Sequence, residues 1–139
     1  MRNLIIAATL LTLVSTVHSA ELYQTMPNSN TRDYSVPSIV INGTEAYTTR
    51  TSSSSRDYTA PSYTIKGDTV YRNMPRSSRI DYSSPTIVIN GTEAYTTRAG
   101  SSSRDYTAPS YTIKDDTVYQ NMPNSSKIDY TKPTVKIVR

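Results

Sequence analysis

Short runs of alternating apolar and polar residues recur along the chain after residue 20. One such segment, residues 38–47, reads Ser-Ile-Val-Ile-Asn-Gly-Thr-Glu-Ala-Tyr. Asn42-Gly43 between two strand-like runs is a strong signal for a two-residue hairpin turn, with Ile41 then facing Thr44 and Ile39 facing Ala46. Because residues two apart on a strand share a face, these four form one thin apolar side of a β-hairpin. We expect that side to be the core.

Four hairpins of this kind are predicted, with turns at Asn42-Gly43, Lys66-Gly67, Asn90-Gly91 and Lys114-Asp115. The two Asn-Gly pairs are the strong turn formers, and the two lysine-containing pairs are weaker ones. In the second hairpin the same face carries Tyr63, Ile65, Asp68 and Val70. Ile, Val, Tyr and Thr fit a pleated surface, so the predicted fold class is all-β.

The hairpins belong to a unit of 24 residues that repeats along the chain. Each copy carries an Asp-Tyr pair, beginning at Asp33, Asp57, Asp81, Asp105 and Asp129, and a proline three residues after the tyrosine, at Pro37, Pro61, Pro85, Pro109 and Pro133. Two kinds of unit alternate: residues 32–55 and 80–103 agree at 19 of 24 positions, and residues 56–79 and 104–127 at 20 of 24. Half units at 21–31 and 128–139 flank the four full ones, which predicts one β-repeat domain over residues 21–139 with about ten short strands.

Several architectures fit these ten strands. One is an antiparallel meander, open or closed, and another is a solenoid-like stack in which equivalent residues form ladders about 4.8 Å apart. Stacking would set the five Asp-Tyr aspartates above one another, which favours the meander. An outer-membrane β-barrel and an incomplete propeller are lesser alternatives. The two half units complete each other either within one chain or between chains.

The Asp-Tyr-x-x-Pro segment is predicted to be a turn that leads into a strand. An aspartate at such a position accepts a hydrogen bond from the backbone N–H two residues on. Proline fixes φ and removes a donor, so it belongs at a strand start, an edge or a bulge.

The first twenty residues are typical of a secretory signal peptide. Arg2 precedes an apolar run over residues 4–14, and small residues follow, with cleavage expected after Ser19 or Ala20. After cleavage the chain has no apolar run long enough for a transmembrane helix. The expected localisation is secreted: extracellular, cell-surface or periplasmic.

Composition narrows the chemistry of the exported chain. The chain has no cysteine, and its one histidine, His18, lies within the predicted signal peptide. A Ser-His-Asp site, a Cys-His site and a zinc site of the usual kind are therefore excluded from the mature protein. Carboxylate pairs such as Asp115-Asp116 lie at predicted turns, so we expect no enzyme, no cofactor and no metal. The net charge of +4 comes from interspersed charges, which argues against a nucleic-acid partner.

Tyrosine is the richest chemical resource, with twelve residues. Tyr47 and its equivalents lie within strands and are predicted to pack on the second face of the sheet. The tyrosines of the Asp-Tyr pairs lie beside polar turn residues and are predicted to be exposed binding residues: Tyr34, Tyr58, Tyr82, Tyr106 and Tyr130. Exposed tyrosine among Ser and Thr stacks on sugars or on other proteins at low entropic cost. Asn42, Asn90 and Asn124 fit the glycosylation acceptor pattern.

Two functional hypotheses follow from these features. The leading one is a non-enzymatic structural protein of the cell envelope or extracellular space, which associates with itself or adheres through its repeated Tyr/Ser/Thr surface. The alternative is a soluble carbohydrate- or protein-binding module with several equivalent sites between repeats. A filamentous, concentration-dependent assembly would favour the first hypothesis. A stable monomer or closed small oligomer that binds a ligand at several equal sites would favour the second.

Overall fold

The computed structural model describes residues 19–138, which form ten antiparallel strands and no helix. The strands are β1 (Ser19–Gln24), β2 (Ile39–Asn42), β3 (Glu45–Thr48), β4 (Tyr63–Lys66), β5 (Thr69–Arg72), β6 (Ile87–Asn90), β7 (Glu93–Thr96), β8 (Tyr111–Lys114), β9 (Thr117–Gln120) and β10 (Val135–Val138). The all-β meander expected from the repeat is confirmed. The predicted signal peptide lies outside the described residues up to residue 18, and Ser19 and Ala20 form the start of β1.

The meander closes into a barrel because β1 pairs with both β2 and β10. Leu22 pairs with Ile39 of β2 on one side and with Ile137 of β10 on the other. The two half units therefore complete a fifth unit within one chain. Among residues 19–138, every strand has a hydrogen-bonded neighbour on both sides.

Each tight turn lies one residue later than expected, which shifts the pairing of the two strands by two residues. Asn42 pairs with Glu45 and ends β2, so the central residues of the first turn are Gly43 and Thr44 rather than Asn42 and Gly43. Ile41 consequently faces Ala46, and Ile39 faces Thr48. The shift of two leaves Ile39, Ile41 and Ala46 on the predicted apolar face, because side chains alternate with a period of two. Thr44 and Asp68, expected on that face, are instead exposed turn residues.

Backbone dihedrals explain the shifted register. Gly43 has φ 64°, whereas Thr44 does not have a positive φ. A positive φ at the first central residue alone is the pattern of a type II′ turn, which calls for glycine first rather than Asn-Gly. The equivalent residues in the other turns are Gly67, Gly91 and Asp115, with φ of 56°, 63° and 55°. Asn90 likewise ends its strand, opposite Glu93.

The barrel interior is built from equivalent positions of the five units. One set is isoleucine throughout, and its members are at most 9% exposed: Ile41, Ile65, Ile89, Ile113 and Ile137. At a second set of equivalent positions, large tyrosines alternate with smaller aliphatic residues. The residues that pair with this set across the strands also alternate, between alanine and valine in the full units. Tyr63 pairs with Ala46 and Tyr111 pairs with Ala94, so each large ring lies beside the smallest side chain. The alternation of two unit types thus has a packing reason: one supplies the alanine and the next supplies the tyrosine.

The five longer loops all leave the same end of the barrel and fold back as short arms. Each arm is tied at its base by a single bridge, such as Thr49 with Arg56. The arm tip is a turn in which Ser53 donates its N–H to the Arg50 carbonyl at 3.1 Å. The five recurring prolines stand two residues before their strands, as expected for a strand start. In the described part of the chain no helix is long and apolar enough to cross a membrane.

Candidate tyrosine-lined clefts

Ten tyrosines form five pairs outside the barrel core, one pair in each unit. One member lies on a strand and is half-buried, and the other follows the aspartate of the turn. The second members are 63–68% exposed, as expected from the sequence: Tyr34, Tyr58, Tyr82, Tyr106 and Tyr130. These five tyrosines do not come together at one site. Each contributes to a separate cleft.

The aspartate turns fix the position of the exposed tyrosines. Asp57 accepts hydrogen bonds from the backbone N–H of Thr59 at 2.9 Å and from its hydroxyl at 2.6 Å. The side-chain and backbone hydrogen bonds from Thr59 hold the pKa of the Asp57 carboxyl below its ordinary value. The same cause lowers the pKa of Asp105, through Thr107. The predicted role of these aspartates as turn residues is confirmed.

In three of the five pairs an arginine lies between the two rings. The Arg32 guanidinium carbon is 4.8 Å from the ring centroid of Tyr23 and 5.0 Å from that of Tyr34. Arg56 and Arg104 occupy the equivalent places at 4.9–5.2 Å from their rings. A guanidinium at this distance from a ring face makes a cation–π contact, which restrains both tyrosines.

Each of these arginines also makes an ion pair with a glutamate eleven residues earlier. The nitrogen–oxygen distances are 2.7 Å for Arg32–Glu21, 3.0 Å for Arg56–Glu45 and 2.8 Å for Arg104–Glu93. The glutamate side chains remain 35–43% exposed. Their carboxylates therefore stay accessible to a ligand in solution.

The other two tyrosine pairs lack the ion pair. Ile80 and Ile128 stand where the other units have arginine, and Thr69 and Thr117 stand where they have glutamate. Here the rings meet directly, edge to face, with centroids 5.7 Å apart for Tyr71–Tyr82 and 5.8 Å apart for Tyr119–Tyr130. The five units thus present two kinds of tyrosine pair.

A cleft lies between each unit and the next, and we number the clefts 1 to 5 by the exposed tyrosine that each contains, from Tyr34 to Tyr130. One wall of cleft 1 carries Tyr34, Val36 and Ser38, and the opposite wall is the arm tip at residues 52–54. The equivalent residues form the other four clefts, and cleft 5 joins Tyr130 to the first arm tip at residues 28–30. The volumes in order are about 250, 440, 280, 310 and 350 Å³.

A ring of paired polar side chains lies beneath the clefts, where the strands meet the arms. In cleft 1 the hydroxyls of Ser38 and Thr49 share a hydrogen bond of 2.9 Å. In the next unit the Asn73 side-chain amide donates to the Ser62 hydroxyl at 3.2 Å. Thr86–Thr97, Ser110–Asn121 and Thr134–Thr25 repeat the arrangement. Because these buried groups are paired, they hold strand and arm together at the floor of each cleft.

Sequence reasoning identified the exposed tyrosines but missed the opposite wall and the ion pairs. The missed signal is that two positions eleven residues apart change together from unit to unit. Three units have glutamate at the first position and arginine at the second, whereas the other two have threonine and isoleucine. Glu45, in the first hairpin, is one of these ion-paired residues. Asp115 and Asp116 are the exposed central residues of the fourth turn, at the opposite end of the barrel from the arms.

Comparisons with protein-family models, with curated proteins and with solved structures return no match for this chain.

Proposed function

We propose that the protein is a secreted, non-enzymatic binding protein whose five clefts each accept one ring of an extracellular carbohydrate. The observation that carries the proposal is the five-fold recurrence of one cleft, in which an exposed tyrosine faces an arm tip composed mostly of serine and asparagine. Binding sites of this kind combine an apolar surface with a few placed polar groups.

The chemistry of the cleft walls fits a ligand rich in hydroxyl groups. The tyrosine ring offers a flat apolar face, and Ser52, Ser53 and Ser54 of the opposite wall in cleft 1 offer donors and acceptors. Sugar rings present apolar C–H faces and hydroxyl edges to match both.

The closed barrel favours ligand binding over the self-association hypothesis. In the described part of the chain each strand is already paired on both sides, so none offers a free edge to a second copy. Strand length also favours this proposal over the outer-membrane barrel. A membrane-spanning strand needs about 9–11 residues, whereas each strand from β2 to β10 has 4.

Five sites on one rigid barrel suit a repetitive polymer better than a single sugar. Each site alone is expected to bind weakly, because a small shallow cleft buries little of its ligand. Simultaneous occupancy of several clefts by one polysaccharide raises the apparent affinity by about 10²–10⁴. Adhesion to a glycan-coated surface is then the consequence of the same sites.

The test is binding of the protein, expressed and exported from its full sequence, to an array of extracellular polysaccharides. The diagnostic variant replaces all five exposed tyrosines with alanine, and those side chains are 63–68% exposed, so their loss leaves the core intact. The matched control replaces Met26, Met74 and Met122, which are 44–45% exposed, with alanine.

We expect the wild type and the methionine variant to bind the same glycans, and the tyrosine variant to lose binding at least tenfold. Undiminished binding by the tyrosine variant would contradict the proposal. An absence of binding by the wild type, together with growth of filaments in light scattering, would instead support self-association.

A further inference from the structure

The five clefts differ in a systematic way in the groups that face the ligand. Clefts 1, 2 and 4 contain a glutamate–arginine ion pair beside the exposed tyrosine. In cleft 1 these groups are Glu21, Arg32 and Tyr34, and the arginine also contacts the second tyrosine of the pair. We call these three the ion-pair clefts.

Clefts 3 and 5 hold no such ion pair. In cleft 3, Tyr71 and Tyr82 line the site together with Thr69. In cleft 5, Tyr119 and Tyr130 line it together with Lys132. We call these two the tyrosine clefts, since two rings in edge contact replace the ring–guanidinium–ring arrangement.

We infer that the clefts form two classes of site, and that the three ion-pair clefts bind neutral sugar rings at least about tenfold more tightly than the two tyrosine clefts. This inference rests on the proposed function and names its preferred ligand class, a neutral ring with adjacent hydroxyls. Each chain then has three strong sites and two weak ones.

The first physical reason is the acceptor that the glutamate supplies. A carboxylate accepts hydrogen bonds at both oxygens, and a pair of adjacent sugar hydroxyls can donate to it together. Hydrogen bonds to a charged acceptor are roughly twice as strong as neutral ones. In cleft 3 the threonine at the equivalent place, Thr69, offers one neutral hydroxyl. Its counterpart in the last unit, Thr117, is 6% exposed and accepts a hydrogen bond from the Lys136 Nζ at 2.7 Å, so it offers a ligand still less.

The second reason is the restraint on the exposed tyrosine. In the ion-pair clefts a guanidinium contacts one ring at 5.0–5.2 Å and is itself held by the glutamate at 2.7–3.0 Å. A ring held in place before the ligand arrives loses less conformational entropy on binding. A difference of about 1.4 kcal/mol in binding free energy between the two classes of cleft, from both effects together, corresponds to the tenfold difference in affinity.

The ion pair also explains why the preferred ring is neutral. Arg32, Arg56 and Arg104 are each matched by a glutamate, so an acidic sugar finds no uncompensated cation at the ion pair itself. The other arginines of these clefts, Arg50 in cleft 1 and Arg76 in cleft 2, lie on the arm side of the cleft. A carboxylate on the ligand would meet the glutamate instead.

Tyrosine-specific NMR can read all five clefts at once. The protein is expressed from its full sequence with ¹³C-labelled tyrosine rings, and methyl glycosides of glucose, galactose, mannose and N-acetylglucosamine are titrated one at a time. Single tyrosine-to-phenylalanine variants assign the five exposed rings. We expect Tyr34, Tyr58 and Tyr106 to saturate at a concentration at least tenfold lower than Tyr82 and Tyr130.

Two designed variants test the cause. The triple variant Glu21→Gln, Glu45→Gln, Glu93→Gln keeps the shape of the side chains and is expected to bring the three strong sites to within about threefold of the weak ones. The converse variant Thr69→Glu, Ile80→Arg copies the ion pair into cleft 3 and is expected to tighten binding at Tyr82 about tenfold. Thr69→Val, which adds neither charge, is the matched control and is expected not to tighten binding at Tyr82.

The outcomes separate this inference from the proposed function. Five rings that saturate together would overturn the two classes and leave carbohydrate binding in place. Tighter binding at Tyr82 and Tyr130, or a Glu-to-Gln variant with unchanged affinity, would also overturn the inference. If none of the five rings shifts with any glycoside, both the inference and the proposed function fail.

Discussion

The two tyrosines inside the barrel make its stability sensitive to alkaline pH. Tyr63 and Tyr111 are 2% and 4% exposed. Burial raises the pKa of both phenols to about 12 from the ordinary value of 10.0, because the charged phenolate is poorly solvated there. Arg72 opposes the shift at Tyr63, with a smaller effect.

The sign of the effect follows from proton linkage. In the unfolded chain these phenols begin to ionise near pH 10, whereas in the barrel they stay protonated until about pH 12. The folded state therefore holds more protons in this window, and the free energy of unfolding falls as the pH rises. The contribution of the two buried phenols to the free energy of unfolding is fully present below pH 10 and is lost by about pH 12. At pH 11 the loss is about 3 kcal/mol for the two tyrosines together.

Urea unfolding at pH 8 and at pH 11, followed by far-ultraviolet circular dichroism, measures this loss. The double variant Tyr63→Phe, Tyr111→Phe keeps the rings and removes the ionising groups, so its stability should fall by about 3 kcal/mol less than that of the wild type. Tyr34→Phe, whose ring is 63% exposed, is the matched control and should behave as the wild type does. Equal losses in the wild type and the double variant would refute the assignment of these phenols to the interior.

Three further predictions concern the turns, the core and the start of the chain. Asp115→Gly should raise the free energy of unfolding by up to about 1 kcal/mol in urea titrations, because Asp115 has φ 55°. The control Asp116→Gly, at a residue without positive φ, should lower the free energy of unfolding or leave it unchanged. Ile87→Ala should cost about 2–5 kcal/mol in the same assay, because its side chain is 0% exposed, and a cost below 1 kcal/mol would contradict its place in the core. Mass spectrometry of the exported protein should find Ala20 as the first residue, because Ala20 in β1 pairs with Ile41 of β2 and is 7% exposed. An uncleaved chain would contradict the prediction of a signal peptide.

The hairpins and their buried face could be predicted from the sequence, whereas the turn register could not. The buried face depends only on a period of two, so Ile39, Ile41 and Ala46 were assigned correctly despite the wrong turn. The register depends on which residue takes positive φ, and Asn42-Gly43 offers two candidates. In the second turn Gly67 follows a lysine rather than an asparagine, so the glycine is what this turn shares with Asn42-Gly43. That glycine marks the first central residue of the turn.

Closure and the clefts needed the structure for a different reason. Whether β1 pairs with β10 of its own chain depends on the sum of twist and tilt over ten strands, which no local pattern specifies. The walls of each cleft come from consecutive units, so Tyr34 and Ser53 lie far apart in the repeat pattern and meet only when the arms fold back. The exposed tyrosines were predictable because their polar neighbours are local.

Intermolecular nuclear Overhauser effects between a bound methyl glycoside and the protein locate the sugar on the barrel. We expect contacts from sugar ring protons to the exposed tyrosine rings of the clefts, strongest at Tyr34, Tyr58 and Tyr106, and none to the methyl groups of Met26, Met74 and Met122. Contacts confined to the tight-turn end of the barrel, around Lys66 and Asp116, would contradict this expectation.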